Sequence, residues 1–315
     1  MDGRHVLLLG VAAATCAAPI VLGSYQLYLA QLMMINAIAA IGLNLLTGNC
    51  GQISLCHSSF MAIGAYASAL VVVRAGLSFA LALAIGTALA ALLGACLGYP
   101  ARRLSGLYLA LVTLGFLELV QVAIEEFPEL TGGVRGLSVP KPQIIGMALR
   151  SDLARYYLVL ALAALALYLG SNLQRSRFGR AFNAVRQSAF AAQAVGIPLA
   201  RTKLLAFTVA AGFAGLAGAL QGAAVGFIDP TEFNISASLR LITFIVVGGL
   251  GSVTGSILGA VLLTGLPEFL RGTQEYGDLV YGAILLAGLL FMPRGIKGLI
   301  DDLRGFLPAT KPVRS

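Results

Sequence analysis

Apolar runs long enough to cross a membrane recur along the whole 315-residue chain, and they constrain its fold more than any other feature. A helix of about 20 residues spans a hydrocarbon core of about 30 Å, because each residue advances the helix by about 1.5 Å. Charged residues make up only 11% of the chain, against about 25% in a typical soluble domain. The sequence therefore predicts a membrane protein and excludes an ordinary soluble globule.

Hydropathy places the candidate spans at residues 6–22, 27–46, 53–73, 77–98, 107–124, 153–171, 204–227, 239–266 and 279–292. The first run could also be a cleaved signal peptide, but its length and the spans that follow it at once favour a retained helix. The predicted fold class is all-α, a polytopic transmembrane helical bundle of about eight to ten spans with broken or re-entrant glycine-rich segments. We expect residues 1–315 to form a single membrane domain.

The segment of residues 173–203, here called the arginine-rich segment, indicates the orientation of the chain. It carries basic residues and no acidic ones: Arg175, Arg177, Arg180, Arg186, Arg201 and Lys203. Short loops rich in Lys and Arg lie on the cytoplasmic side, so we expect this segment and the amino terminus there, and loop 125–152 outside. The net charge of +8 then reflects membrane topology and not nucleic-acid binding.

The basic carboxyl-terminal tail conflicts with three unbroken spans after the arginine-rich segment, because it would then lie outside. The conflict disappears if the run 239–266 is broken within the glycine-rich stretch 248–255 and both halves open to the outer face. A similar stretch occupies residues 48–54, so the two halves of the chain could be distant repeats. In transporters such breaks expose backbone groups to the transport path. Glycines that only permit close helix packing are an equally good interpretation.

Polar residues in or beside the apolar runs, and two glycines of the stretch 248–255, are candidates for the transport path. The candidates are Asn44, Gln52, Ser54, His57, Glu118, Gly248 and Gly249. A single histidine cannot build a metal site or a catalytic triad without partners, so hydrogen-bonded packing is the favoured role of His57. Glu118 lies near the middle of its span, where a carboxylate needs water or a partner; it either lines a path or bonds to neighbouring helices.

Residues 180–195 predict one short helix that ends at Gly196 and Pro198. Phe182, Val185 and Ala189 fall on one stripe of that helix, which suits docking on another surface. The alternative is a basic loop that only anchors the topology.

The residues GRAF at 179–182 and AAQAVGI at 191–197 resemble the coupling loop of importer permeases of the ABC superfamily. Further fragments are similar to the branched-chain amino acid (LivM-like) branch of these permeases: GLNLLTG at 42–48, GQIS at 51–54, FLELV at 116–120, LTGG at 130–133 and VGGLGS at 247–252. Two positions depart from the family pattern, since Phe190 stands where the coupling motif has Glu and Gln121 stands where Arg is common. The resemblance implies coupling to an ATPase through Arg180, Phe182, Arg186, Ala191, Ala192 and Gly196.

By this resemblance the chain is expected to be the permease subunit of an ATP-driven importer of branched-chain or similar hydrophobic amino acids in the bacterial inner membrane. The expected partners are two ATP-binding subunits, a second related permease in a heterodimer, an extracytoplasmic substrate-binding protein and membrane lipid; no nucleic acid, cofactor or metal is expected. The sequence has no Gly-x4-Gly-Lys-Ser/Thr loop, so ATP hydrolysis would occur on a partner chain and the permease would not be an enzyme. The alternatives are an ABC permease for urea, an aromatic acid or a sugar, an ion-driven secondary transporter and, least favoured, a membrane-embedded enzyme.

Overall fold

A computed structural model of the chain describes residues 15–19, 21–140, 143–144, 147–148, 152–269, 282, 286 and 295–298. Its helices are α1 (Ser24–Leu43), α2 (His57–Ala75), α3 (Phe79–Ala101), α4 (Leu107–Glu126), α5 (Pro128–Thr131), α6 (Asp152–Arg175), α7 (Arg177–Gln187), α8 (Ala189–Ala194), α9 (Leu199–Val225), α10 (Ile235–Gly248) and α11 (Val253–Phe269). Six of the described helices are long and apolar enough to cross a membrane, and the pair α10 and α11 supplies a seventh candidate. The predicted polytopic helical bundle is confirmed, while the runs 6–22 and 279–292 lie largely outside the described residues.

Short strands tie the connections together at one end of the bundle. They are β1 (Leu137–Ser138), β2 (Gln143–Ile144), β3 (Met147–Ala148) and β4 (Phe227–Ile228). β1 pairs antiparallel with β4, with Leu137 opposite Ile228. The pair β2 and β3 forms a second small antiparallel ladder. Loop 125–152 is therefore joined to the chain that leaves α9.

Helix α9 is the centre of the bundle, and it packs closely against α2 and α3 through small residues. A Cβ added to Gly218 would lie 1.9 Å from the Met61 carbonyl oxygen, and one added to Gly64 would lie 2.1 Å from that of Gly215. These backbones touch without intervening side chains. Between membrane helices, where both lipid and protein are apolar, such close contact replaces the hydrophobic effect as the source of packing energy.

The first glycine-rich stretch interrupts the chain between α1 and α2. Helix α1 continues as a π-helix, Asn44–Asn49, and residues 50–56 are not helical. His57 begins α2 and its Nε2 donates to the carbonyl oxygen of Ala39 at 3.0 Å, since a carbonyl can only accept. Ala39 lies about 22 Å along α1 from Ser24. Helix α2 therefore begins beside the interior of α1, and the predicted spans 27–46 and 53–73 are separated by this non-helical connection.

The second break divides the predicted span 239–266 into α10 and α11, which are bent by 119°. Glycines allow the two helices to cross at close range. A Cβ on Gly248 would lie 2.0 Å from the Gly255 carbonyl oxygen, and one on Gly259 would lie 2.0 Å from that of Phe244. The predicted interruption of this run is confirmed.

The prediction of one helix over residues 180–195 is wrong. Helix α7 ends at Gln187 and α8 begins at Ala189, because Ser188 has an extended backbone (φ −159°, ψ 114°). Its hydroxyl accepts a hydrogen bond from the Ala191 amide at 3.2 Å and caps α8. Serine is among the preferred residues at this position. Gly196, with φ +83°, follows the end of α8 as predicted.

Candidate functional site

The two glycine-rich breaks meet in space, where the end of the π-helix lies against the turn between α10 and α11. A Cβ added to Gly48 would lie 2.5 Å from the backbone nitrogen of Gly251. We call the set formed by Asn44, Gly48, Gly51, Arg186 and Gly251 the break junction. Gly51 (φ +72°) and Gly251 (φ +80°) both have left-handed backbones, which glycine adopts without steric cost.

Asn44 supplies hydrogen bonds to the backbone of the second break. Its amide Nδ2 donates to the Ser252 carbonyl at 2.9 Å and to Ser256 Oγ at 2.6 Å, with a longer contact of 3.3 Å to the Gly249 carbonyl. Its Oδ1 accepts from the Gly251 amide at 2.8 Å. The side chain is 1% exposed. A broken helix leaves backbone groups unpaired, and in a membrane they must be satisfied internally.

Helix α7 contacts the junction from the arginine-rich segment. Arg186 Nη1 donates to the Gly48 carbonyl, and the Arg186 stem packs on Gly51, whose added Cβ would lie 3.1 Å from Arg186 Cγ. One turn earlier, Asn183 Oδ1 accepts from Asn49 Nδ2 at 3.1 Å. The end of α6 contributes Gln174, whose amide donates to the Gly251 carbonyl. Sequence analysis gave no role to Gln174 or Asn183.

The remaining polar candidates of the first half lie just beyond the junction. Gln52, Ser54 and His57 are all buried inside the chain. The backbone carbonyl of Gln52 accepts from Thr47 Oγ1 at 3.0 Å, and Ser54 Oγ lies 3.4 Å from Cys56 Sγ. Gln52 Oε1 and His57 Nδ1 have no hydrogen-bond partner within the described residues. These buried groups retain unused capacity to bind a polar ligand or water.

Glu118 does not join this cluster. Helix α4 buries one face through Leu109, Thr113, Leu117, Val120 and Ile124, and Glu118 lies on the opposite, exposed face near Gly115, Leu119 and Val122. It is about 16 Å along α4 from Leu107, and no hydrogen bond or ion pair joins it to the rest of the described chain. A mid-span carboxylate exposed to hydrocarbon costs several kcal/mol. This face of α4 is therefore suited to contact water or another protein.

The predicted coupling residues divide between an inner and an outer surface. Phe182 and Ala192 are buried and fix α7 and α8 on the bundle, whereas Arg180, Ala191 and Gly196 are exposed. Phe190 is 89% exposed, which makes it the most exposed large apolar side chain of the described chain. Among the described residues, Arg180 Nη1 donates to the nearby Arg175 carbonyl, at 3.1 Å. The outer surface of the two helices thus combines positive charge with exposed apolar area.

The described residues contain no group of three or more His, Cys, Asp or Glu side chains that could hold a metal ion. The polar side chains at the break junction bond mainly to backbone atoms, so they join the two broken segments of the chain to each other and to α7.

Comparison with known proteins identifies relatives over nearly the full chain. The family described as branched-chain amino acid transport system, permease component, matches residues 25–289. The chain is 34% identical to the high-affinity branched-chain amino acid transport system permease protein LivM of Escherichia coli K12, with 98% of this chain and 76% of that protein covered. It is 29% identical to the permease protein LivH of the same kind of system in Salmonella typhimurium, with 83% of this chain and 91% of that protein covered. The autoinducer 2 import system permease protein LsrC of Klebsiella pneumoniae is 33% identical over 51% of this chain and 48% of its own length. No solved structure matches the chain significantly.

Proposed function

Since the chain belongs to the family of permease components of branched-chain amino acid transport systems, we propose that it is the permease subunit of an ATP-driven importer of branched-chain amino acids. The observation that carries this proposal is the 34% identity to the LivM permease over 98% of the chain. The similarity covers both breaks and the arginine-rich segment. A permease for another small solute is less favoured, because the match to LsrC covers only 51% of the chain.

The proposed assembly contains two ATP-binding subunits, a second related permease and an extracytoplasmic substrate-binding protein. Similarity to both LivM and LivH, which carry the name of the same transport system, supports pairing of two related permeases. ATP hydrolysis belongs to the partner subunits in this proposal, because the sequence has no phosphate-binding loop.

In the proposed orientation the arginine-rich segment and both termini face the cytoplasm, and loop 125–152 faces outside. The excess of basic residues in residues 173–203 supports this orientation. Helices α6 and α9, which flank the segment, both have span length and composition. The ATP-binding subunits would then contact α7 and α8 directly.

Coupling residues act in two ways in this proposal. Arg180, Ala191 and Gly196 are exposed and available to an ATP-binding subunit. Phe182 and Ala192 are buried and transmit a displacement of the helix pair to the bundle. Arg186 belongs to both groups, because it is exposed overall and its guanidinium donates to the Gly48 carbonyl.

The proposed transport path lies between this chain and the second permease, along the exposed face of α4 that carries Glu118. The buried polar residues Asn44, Gln52, Ser54 and His57, with Gly248 and Gly249, would join the path when the two breaks are displaced relative to the surrounding helices. Alternating access requires such a change between two arrangements. The unpartnered atoms Gln52 Oε1 and His57 Nδ1 support a site that is completed in another state.

The proposal is tested by uptake of radiolabelled leucine into proteoliposomes that contain the complete complex and the cognate binding protein. We expect ATP-dependent leucine uptake, and replacement of residues 177–194 by a flexible linker should uncouple hydrolysis from uptake. Full transport after this replacement, or uptake of urea or a sugar in preference to leucine, contradicts the proposal. Substitution Glu118→Gln with unchanged uptake and assembly would remove Glu118 from the path.

A further inference from the structure

Arg186 differs from the other arginines of α7 because its guanidinium reaches inward to the point where the breaks meet. The π-helix ends at Asn49, so the Gly48 carbonyl has no partner further along that helix. Arg186 Nη1 donates to this carbonyl. A hydrogen bond from a charged donor is stronger than a neutral one.

The same guanidinium also borders the second break. A Cβ added to Gly251 would lie 3.2 Å from Arg186 Nη1 and 3.3 Å from the Gly48 carbonyl oxygen. Arg186 Nη1 thus lies at the contact between Gly48 and Gly251. Its stem lies against Gly51, which follows the π-helix, with 3.1 Å between an added Cβ and Arg186 Cγ.

Helix α7 holds Arg186 at a fixed position relative to the bundle. Phe182 is fully buried and Val185 is nearly so, and Asn183 bonds to Asn49 at 3.1 Å from the helical turn before Arg186. Residues three apart on a helix lie on neighbouring positions of one face. Asn183 and Arg186 therefore contact the end of the π-helix together, and they cannot keep both contacts if α7 moves alone.

We propose that Arg186 is a positioning residue that links α7 to both breaks at once. A displacement of α7 then moves the end of the first span and the turn between α10 and α11 together. The inference rests on the proposed function, because the ATP-binding subunit supplies the displacement. It goes beyond docking, since the contact that matters is internal to this chain and involves the carbonyl of Gly48.

Arg177 provides a matched control on the same helix, because it is not among the predicted coupling residues. Both residues are arginines of α7, and replacement by Gln removes one positive charge in either case. Within the described residues the Arg177 guanidinium lies over the neighbouring Phe178 ring, 5.0 Å from its centroid, and it joins neither break. A pure charge effect on docking would affect the two variants equally, whereas an internal link affects Arg186→Gln alone.

The test uses the complete reconstituted complex and measures the ATP hydrolysed per leucine imported, together with co-purification of the ATP-binding subunit. Arg186→Gln should raise the ratio of ATP to leucine by about tenfold or more, because a charged hydrogen bond at a buried carbonyl is lost. The ATP-binding subunit should co-purify as it does with the unsubstituted chain. Arg186→Lys keeps a charged donor and should stay within about threefold of the original ratio. Arg177→Gln should change it by less than about twofold.

Three results overturn the assignment of Arg186. They are an unchanged ratio in Arg186→Gln, an equal effect in Arg177→Gln, and loss of the ATP-binding subunit from the Arg186→Gln complex, which would make Arg186 a docking contact. Failure of the proposed function is distinguished from these results, because the unsubstituted complex would then import no leucine.

A second experiment applies if the Arg186→Gln permease itself does not fold. Cysteines placed at Asn49 and Asn183, with the exposed Cys16 and Cys96 replaced by Ser, can be joined by a short reducible bifunctional thiol reagent. The link should leave leucine uptake and the ATP hydrolysed per leucine close to those of the unlinked complex, because α7 and the end of the π-helix move together. Loss of uptake on linking that reduction restores would show that the two must separate, and it overturns the proposal.

Discussion

The two glycine-rich breaks solve the same physical problem in different ways. The first, residues 50–56, is a longer non-helical segment that polar side chains from other helices hold at its end. The Leu55 amide donates to Thr113 Oγ1 at 3.1 Å, and in the first turn of α2 the Ser58 amide donates to Ser238 Oγ at 3.1 Å. The second, residues 249–252, is a sharp turn between helices that cross at Gly248 and Gly255. Its backbone is bonded largely by Asn44 of the first region.

This difference separates two ways in which a broken membrane helix is stabilised. Each unpaired backbone group in hydrocarbon costs several kcal/mol, so both breaks must satisfy them within the protein. The first break is bonded by side chains from several helices. The second is bonded by Asn44 and also relies on close backbone contact, which leaves no space for an added side chain. We therefore expect added volume to be most damaging at the second break, and loss of polar atoms to weaken both.

Added volume at the second break should have the largest effect. Gly248→Ala places a Cβ 2.0 Å from the Gly255 carbonyl oxygen, and because backbone cannot move aside cheaply, we expect a loss of about 3 kcal/mol of stability. The chain has no Trp, so unfolding is best followed through reaction of a fluorogenic maleimide with the buried Cys50 and Cys56.

Gly115→Ala on α4 is the control for that experiment, since no atom lies within 4 Å of its added Cβ. It should leave the unfolding temperature of the complex unchanged or slightly raised, because Ala has the higher helix propensity. Equal stability of the two variants would show that close contact does not hold the second break together.

Loss of the amide that joins the breaks should have the next largest effect. Asn44→Ala leaves the Gly251 amide and the Ser252 carbonyl without their partner in a buried site, and we expect a loss of about 2 kcal/mol by the same thiol assay. Asn36→Ala is the matched control, because Asn36 also joins α1 to α11 but makes a single bond, to Thr264 Oγ1 at 3.0 Å. It should lose about 1 kcal/mol. A smaller effect for Asn44→Ala than for Asn36→Ala would contradict the role of Asn44.

The spans and the second break could be predicted from the sequence because their signals are local. Transfer of each apolar residue to the membrane is favourable almost independently of its neighbours, so hydropathy located the helices. The break within residues 239–266 followed from glycines together with the charge of the tail. The π-helix could not be found in this way, because it is held by Asn44 bonds to residues about 200 positions later in the chain.

The different positions of Arg180 and Arg186 on α7 have a signal in the sequence. Arg186 is four residues after the buried Phe182, which places it within about 40° of Phe182 around the helix, whereas Arg180 is about 160° away. The pattern can therefore predict that Arg186 points toward the bundle. It cannot identify the Gly48 carbonyl as the acceptor, since the two residues are joined only by the folded structure.

The smallest expected effect concerns a single polar atom of the first break. Thr47 Oγ1 donates to the Gln52 carbonyl at 3.0 Å, and Thr47→Val removes this donor with little change in shape. We expect a loss of about 1 kcal/mol, because the carbonyl lies in a non-helical segment and has few other donors within reach. In Thr208→Val, by contrast, the lost bond is to the Leu204 carbonyl, which already accepts within α9, so stability should change by less than about 0.5 kcal/mol. If both variants were equally stable in the thiol assay, polar side chains would not be what holds the first break, and the distinction between the two breaks would be lost.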